Sequence, residues 1–190
     1  MVHASKRIVV LGASAGGPLA LGDVLEELPS DVDAAVVVVL HLLARHRSLL
    51  ADVLARRTAL PVAQASDGET LQAAHVYVAP PDRHLVFADH RIGLVDTPPR
   101  DHHRPSIDAT FESAADAFGR DTIAVVLTGL GSDGAAGAER VHACGGTVIA
   151  QEHAEYPSMP YAAIATGVVD RVLSLGSIAP AIVELTRAPA

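Results

Sequence analysis

The sequence predicts an α/β fold, a doubly wound and mainly parallel sheet with helices on both faces. Two observations predict it. A unit of apolar strand, turn and amphipathic helix recurs three times along the chain, and its strands are continuously apolar instead of alternating, which marks strands covered on both sides. The length agrees, because 190 residues make one ordinary domain with a single core. The chain is 49% hydrophobic but only 3% aromatic, so Ala, Val and Leu must fill that core.

The first unit starts with the β-branched run Arg7 to Leu11. Pro18 to Leu28 follows at helical spacing, with Leu19, Leu21, Val24, Leu25 and Leu28 apolar and Pro18 suited to a first turn. In the second unit, Ala34 to Leu40 is a strand and Arg47 to Arg57 a helix, with Leu49, Leu50, Val53 and Leu54 on one stripe. The third runs from Thr122 to Leu127 through a glycine-rich loop into a helix around Ala135 to Ala143, and Thr147 to Gln151 is a further strand. Between the second and third units, His75 to Ala79, Leu85 to Ala88 and Ile92 to Val95 are short strands. Asp89-His90-Arg91 joins the last two as a hairpin at the sheet edge. Ser106 to Phe118 reads as a helix, and Ile178 to Arg187 as a closing one.

Composition excludes several function classes. The chain has 22 acidic and 14 basic residues, a net charge of −8, and Lys6 is its only lysine, so binding to a nucleic-acid backbone is disfavoured. The scarcity of aromatic rings removes a stacking platform for single strands. The longest strongly apolar run, Ala34 to Leu40, is far short of the roughly 20 residues of a membrane span. Lys6-Arg7 ahead of Ile8 to Leu11 and Ala13-Ser14-Ala15 also imitates a signal peptide, but glycine interrupts its apolar run well before the roughly 7–15 residues such a region needs. A lone cysteine, Cys144, allows no internal disulfide and fits a reducing compartment, so a cytoplasmic location without membrane insertion is expected.

In open α/β sheets ligands bind beyond the carboxyl ends of the strands. The first strand is followed by Gly12-Ala13-Ser14-Ala15-Gly16-Gly17, the second by His41, and the third by Thr128-Gly129-Leu130-Gly131-Ser132-Asp133-Gly134. A serine, a histidine and an aspartate from distant positions therefore converge on one rim. Taken singly each has a plain alternative: Ser14 as a helix-capping residue on a glycine turn, His41 as a histidine satisfying a carbonyl, Asp133 as a cap for the helix that follows it. Together they form a chemical unit. Serine is unreactive at neutral pH without a base, His41 can be that base, and Asp133 can hold its tautomer. Gly12-x-Ser14-x-Gly16 matches a nucleophile elbow, and the backbone amides of Ala15 and of the Leu130 loop are candidates to stabilise an oxyanion. The rival is a phosphate site on the same glycine turns. It lacks a phosphate-loop lysine, has Ser14 where the dinucleotide fingerprint has glycine, and would place Asp133 against the anion.

At these residues the chain resembles the catalytic domain of the CheB family, protein-glutamate methylesterases of bacterial chemotaxis. The resemblance runs through Gly12-Ala13-Ser14 with Gly16-Gly17, the strand ending in His41, Ser66-Asp67-Gly68-Glu69, Val78-Ala79-Pro80, His103-Arg104-Pro105-Ser106-Ile107-Asp108, Leu127 to Gly137, Ala150-Gln151 and Ser158-Met159-Pro160. It implies a Rossmann-like three-layer fold with about seven strands, a single catalytic domain over residues 1–190, and a triad of Ser14, His41 and Asp133. It further implies hydrolysis of glutamate γ-methyl esters on chemoreceptor helices with release of methanol, with no cofactor and no metal. Deamidation of glutamine, esterase action on another protein, or an inactive receptor-docking module are the alternatives.

The chain departs from the family in having Ala15 for Thr, Leu130 for Met, and Leu40-His41-Leu42-Leu43 for Gln-His-Met-Pro. Arg45, His46 and Arg47 close by read by default as a surface cluster, and alternatively as a patch that meets acidic receptor helices. The family's receiver domain is not in this sequence, so phosphorylation within this chain is not expected, and a separate response-regulator protein is a candidate partner. Of the remaining candidates, His102-His103 with Asp101 and Asp108 sits in a Pro-flanked loop ill suited to a metal. Cys144 reads as a buried small residue near a helix end, and Met159 as a packing residue beside the cleft. The triad reading also expects Asp133→Asn to slow turnover about 10⁴-fold while leaving the fold intact.

Overall fold

A computed structural model describes residues 5–41 and 48–187. Its centre is a seven-stranded sheet of order β3-β4-β2-β1-β7-β8-β9, in which every pairing is parallel. The strands are β1 (Ile8–Ala13), β2 (Ala35–Leu40), β3 (Val62–Gln64), β4 (Val76–Val78), β7 (Thr122–Val126), β8 (Thr147–Gln151) and β9 (Arg171–Leu173). The helices are α1 (Gly17–Glu26), α2 (Leu50–Leu54), α3 (Ile107–Phe118), α4 (Ala135–Ala143), α5 (Ser158–Ala165) and α6 (Leu175–Arg187). All residues of β1, β2 and β7 are buried, as continuous apolar runs require.

The sheet divides the core in two, and strand alternation does the dividing. Val9, Leu11 and Ala13 of β1 face α1, α2 and α6, while Ile8 and Val10 face α3, α4 and α5. The run weighed as a signal peptide is thus the central strand. From β1 the sheet runs outward through β7, β8 and β9 on one side and through β2, β4 and β3 on the other, so the neighbours β2 and β7 leave it on opposite sides. That reversal opens the crevice where His41, Ser14 and Thr128 follow the ends of their strands.

Three expectations are corrected. The hairpin, β5 (His84–Ala88) with β6 (Arg91–Val95), forms its own two-stranded sheet and does not extend the large one. The edges are already held by the short strands β3 and β9, so Leu85, Phe87 and Ile92 are buried in the α3 side of the core instead. Its connection is Asp89-His90 alone, both in the left-handed region, with Ala88 paired to Arg91. The second helix is only Leu50–Leu54, and its stripe is split: Leu50 and Leu54 are buried, but Leu49 and Val53 are exposed. Finally, α6 starts at Leu175, three residues ahead of Ile178, the start expected. The rim residues Leu42, Leu43, Arg45, His46 and Arg47 lie outside the described residues.

Among the described residues, no helix is long and apolar enough to cross a membrane.

Candidate active site

Backbone hydrogen bonds bring the three strand ends together. The Ser14 amide donates to the Thr128 carbonyl at 2.9 Å, and the His41 amide to the Ala13 carbonyl at 3.3 Å. Thr128 is fixed in turn, its amide donating to the Gln151 side chain at 2.9 Å and its hydroxyl to the Ala15 carbonyl at 3.1 Å. Gly16 has φ 73, a left-handed conformation that frees the chain to turn from β1 directly into α1.

On this frame the side chains meet in the expected order. Ser14 Oγ lies 3.2 Å from His41 Nδ1, and His41 Nε2 lies 2.7 Å from Asp133 Oδ2. The His41 side chain is 7% exposed and that of Asp133 is 3%. Burial pushes the Asp133 carboxyl up, but hydrogen bonds from His41 and from the Asp108 and Ile107 amides outweigh it and hold the pKa down to about 2. An ionised Asp133 can only accept, so the ring proton belongs on Nε2 and Nδ1 is left to accept from the serine hydroxyl.

Asp133 does not cap the helix that follows it. Its carboxylate sits at the start of α3, accepting from the Ile107 and Asp108 amides, both at 2.8 Å, and from the Ser106 hydroxyl at 3.0 Å. The helix that does follow, α4, is served from α3 in return: Asp108 Oδ1 accepts from the Gly134 amide at 2.9 Å and the Gly137 amide at 2.7 Å. The two acids exchange helix ends. Burial raises the Asp108 carboxyl, Gly137 and Gly134 lower it, and the Asp133 charge adds to the rise, giving a pKa of about 6.

Among the described residues the amides of Ala15 and Leu130 have no protein acceptor, and the Leu130 side chain is 56% exposed. Gly129 has no room for a side chain: a Cβ there would lie 2.2 Å from Met159 Sδ and 2.8 Å from Ser14 Cβ. Met159 is fully buried and packs, as expected. Cys144 caps the end of α4 and is partly exposed. Against the phosphate reading, a Cβ on Gly16 would lie 3.1 Å from Glu155 Oε2, so a carboxylate already stands at the turn into α1. Among the described residues, no group of three or more His, Cys, Asp or Glu side chains could hold a metal.

Sequence reasoning missed three contributors. Ser106 was seen only as part of a motif, and His103 and Asp108 only as part of that motif and as doubtful metal ligands. The His103 ring in fact lies parallel to that of His41, with centroids 3.6 Å apart.

With this geometry in hand, comparison with known proteins is specific. The family model described as CheB methylesterase matches residues 9–182. A protein-glutamate methylesterase/protein-glutamine glutaminase 2 of Anaeromyxobacter dehalogenans (strain 2CP-C) is 43% identical over 182 residues, covering 95% of this chain and 53% of that protein. One from Myxococcus xanthus (strain DK1622) is 43% identical over 186 residues, covering 95% and 54%. The chain thus spans about half the length of these relatives. The crystal structure of the Thermotoga maritima CheB methylesterase catalytic domain superposes with a TM-score of 0.90 at 37% identity, covering 94% of this chain and 98% of that one.

Proposed function

The chain belongs to the CheB methylesterase family, and we propose that it is a serine hydrolase that removes methyl groups from glutamate γ-methyl esters of chemoreceptor-type signalling helices. In this reading residues 1–190 are one catalytic domain working in the cytoplasm, and a separate response-regulator protein is a candidate controller. Ser14 is the nucleophile, His41 the base and Asp133 the residue that orients it. The observation that supports this is the hydrogen-bonded chain from Ser14 through His41 to Asp133, at 3.2 and 2.7 Å.

The steps follow from that chain. As Ser14 Oγ bonds to the ester carbonyl carbon, its proton passes to His41 Nδ1, and the Asp133 carboxylate stabilises the imidazolium without taking a proton. The carbonyl oxygen becomes an oxyanion, for which the Ala15 and Leu130 amides are the proposed donors; one good donor contributes about 3–4 kcal/mol. Collapse breaks the bond to the methoxy oxygen, which takes the Nδ1 proton and leaves as methanol. The remaining glutamyl ester of Ser14 is then attacked by water, His41 taking the water's proton and returning one to Ser14 Oγ as the glutamate carboxylate departs.

The relatives' names also include protein-glutamine glutaminase. The same acyl intermediate would form from a glutamine amide, with ammonia leaving in place of methanol.

Purified protein incubated with a chemoreceptor carrying radiolabelled methyl esters tests the reading. We predict methanol release that is lost in Ser14→Ala, and an ammonia assay on unmethylated receptor reads the amidase branch. Receptor binding with neither product would mean a docking module and would overturn the proposal.

A further inference from the structure

The ring of His103 covers the ring of His41, with planes 5° apart and centroids separated by 3.6 Å. It takes no part in the hydrogen-bonded chain, and its nitrogens make no hydrogen bond to another described residue. His103 is only half-buried, so filling the core is not what it does.

The segment carrying it is nonetheless firmly held. Arg100 and His103 exchange two backbone hydrogen bonds, 3.1 and 2.8 Å, around Asp101 and His102, which both take left-handed conformations at φ 46 and 68. The Arg100 guanidinium forks onto Glu112 of α3 at 2.5 and 2.8 Å. Arg104 is fastened to Asp82 at 3.0 Å and to the Thr97 carbonyl at 3.1 Å. These polar links serve no apolar cluster. What they fix is the place of one imidazole above another.

A base of this kind has a soft torsion about Cβ–Cγ, broad and roughly two-fold for histidine. Its hydrogen bond to Asp133 fixes one ring atom but does not stop the plane from tilting away from Ser14. A flat group against one face does, and it also keeps water off that face. We propose that His103 is a positioning residue for His41, a plate whose parallel ring holds the base in the plane that joins Ser14 to Asp133. This rests on reading His41 as the base.

Two imidazolium rings at this separation would repel, so the pair carries at most one positive charge. Burial lowers the His103 pKa first, the His41 and His102 charges lower it further, and Asp133 and Asp101 oppose them.

The test is the rate at which a fluorophosphonate labels Ser14 in the full chain, read by mass spectrometry, together with the His41 ring tautomer from nitrogen-15 NMR. His103→Ala should label about 10- to 100-fold more slowly, the scale of loss expected from an ångström-level misplacement of a reacting group. The probe concentration for half-saturation should stay near the wild-type value. His103→Phe, which keeps a plate without nitrogens, should recover most of the rate. His41 should hold its proton on Nε2 in the wild type and the Phe variant, and show mixed tautomers in the Ala variant. Should His103→Ala not fold, His103→Gln, which has no ring, takes its place.

Labelling of the ring-less variant at the wild-type rate, or Phe as slow as Ala, would overturn the proposal. A wild type that is not labelled at Ser14 would overturn the reading of His41 as base, which the proposal needs. The two failures are therefore distinguishable.

Discussion

Asp133 places four hydrogen bonds on two oxygens, from His41, Ser106, Ile107 and Asp108. The amide nitrogen of an asparagine cannot accept, so Asp133→Asn orphans donors in a buried site, at about 1–3 kcal/mol for each group left unpaired. The substitution should therefore slow turnover by about 10⁴-fold, as wrong-tautomer logic predicts, and also lower the urea midpoint. The fold is expected to stay intact, at lower stability. Asp108 gives a second prediction, in pH. Its folded pKa of about 6 lies above the ordinary 3.8, so between those values the folded protein holds a proton the unfolded chain has lost. Stability falls as pH rises through that window and stays lower above it. Asn at this position keeps an oxygen for the Gly134 and Gly137 amides and cannot ionise. Asp108→Asn should be more stable than wild type by about 1–3 kcal/mol at pH 8, a gap that closes by pH 4. Denaturant titrations at both values check it, and a constant gap contradicts it. Ser14, His41 and Asp133 were legible because each directly follows a recognisable strand or its loop. His103 and Asp108 were not, since no pattern in the chain says that residues after the hairpin return to the ends of β1 and β2.

Strands β1, β2, β7 and β8 could be read from sequence because burial on both faces leaves an uninterrupted apolar run. The edge strands β3 and β9 are three residues each and partly exposed, which is too short and too mixed for any period to register. Helix α5 escaped for a related reason. Pro160 stands in its first turn, and its apolar residues form no stripe. Yet α5 decides the shape of the site, because Met159 packs on Gly129 and Gly129 on Ser14. A methyl group at position 129 has to push one of them away. Gly129→Ala should cut methanol release by about 10²-fold, the cost of an ångström-scale shift at a nucleophile. Circular dichroism should show the fold kept. Full activity would mean that the contact between α5 and the β7 loop does not set the serine's position.

At the scale of the molecule, the fold is a parallel sheet with the candidate site gathered at one crevice, and two apolar cores built mainly of Ala, Val, Leu and Ile, one on each face. The proposed nucleophile, base and orienting carboxylate arrive from β1, β2 and the loop after β7, so the site exists only once three neighbouring strands are in register. Sequence reading reached this far because strand ends in such sheets have a fixed address. It did not reach the exchange of acids between α3 and α4, which depends on how two helices cross. In the proposed reading, this convergence makes Ser14 a nucleophile through His41. The most direct measurement is intact-protein mass spectrometry with peptide mapping after brief exposure to a fluorophosphonate, comparing wild type with His41→Ala. We predict a single adduct on Ser14 in the wild type and its near-complete loss without the imidazole. An adduct on another residue, or equal labelling of Ser14 in both proteins, would contradict the account.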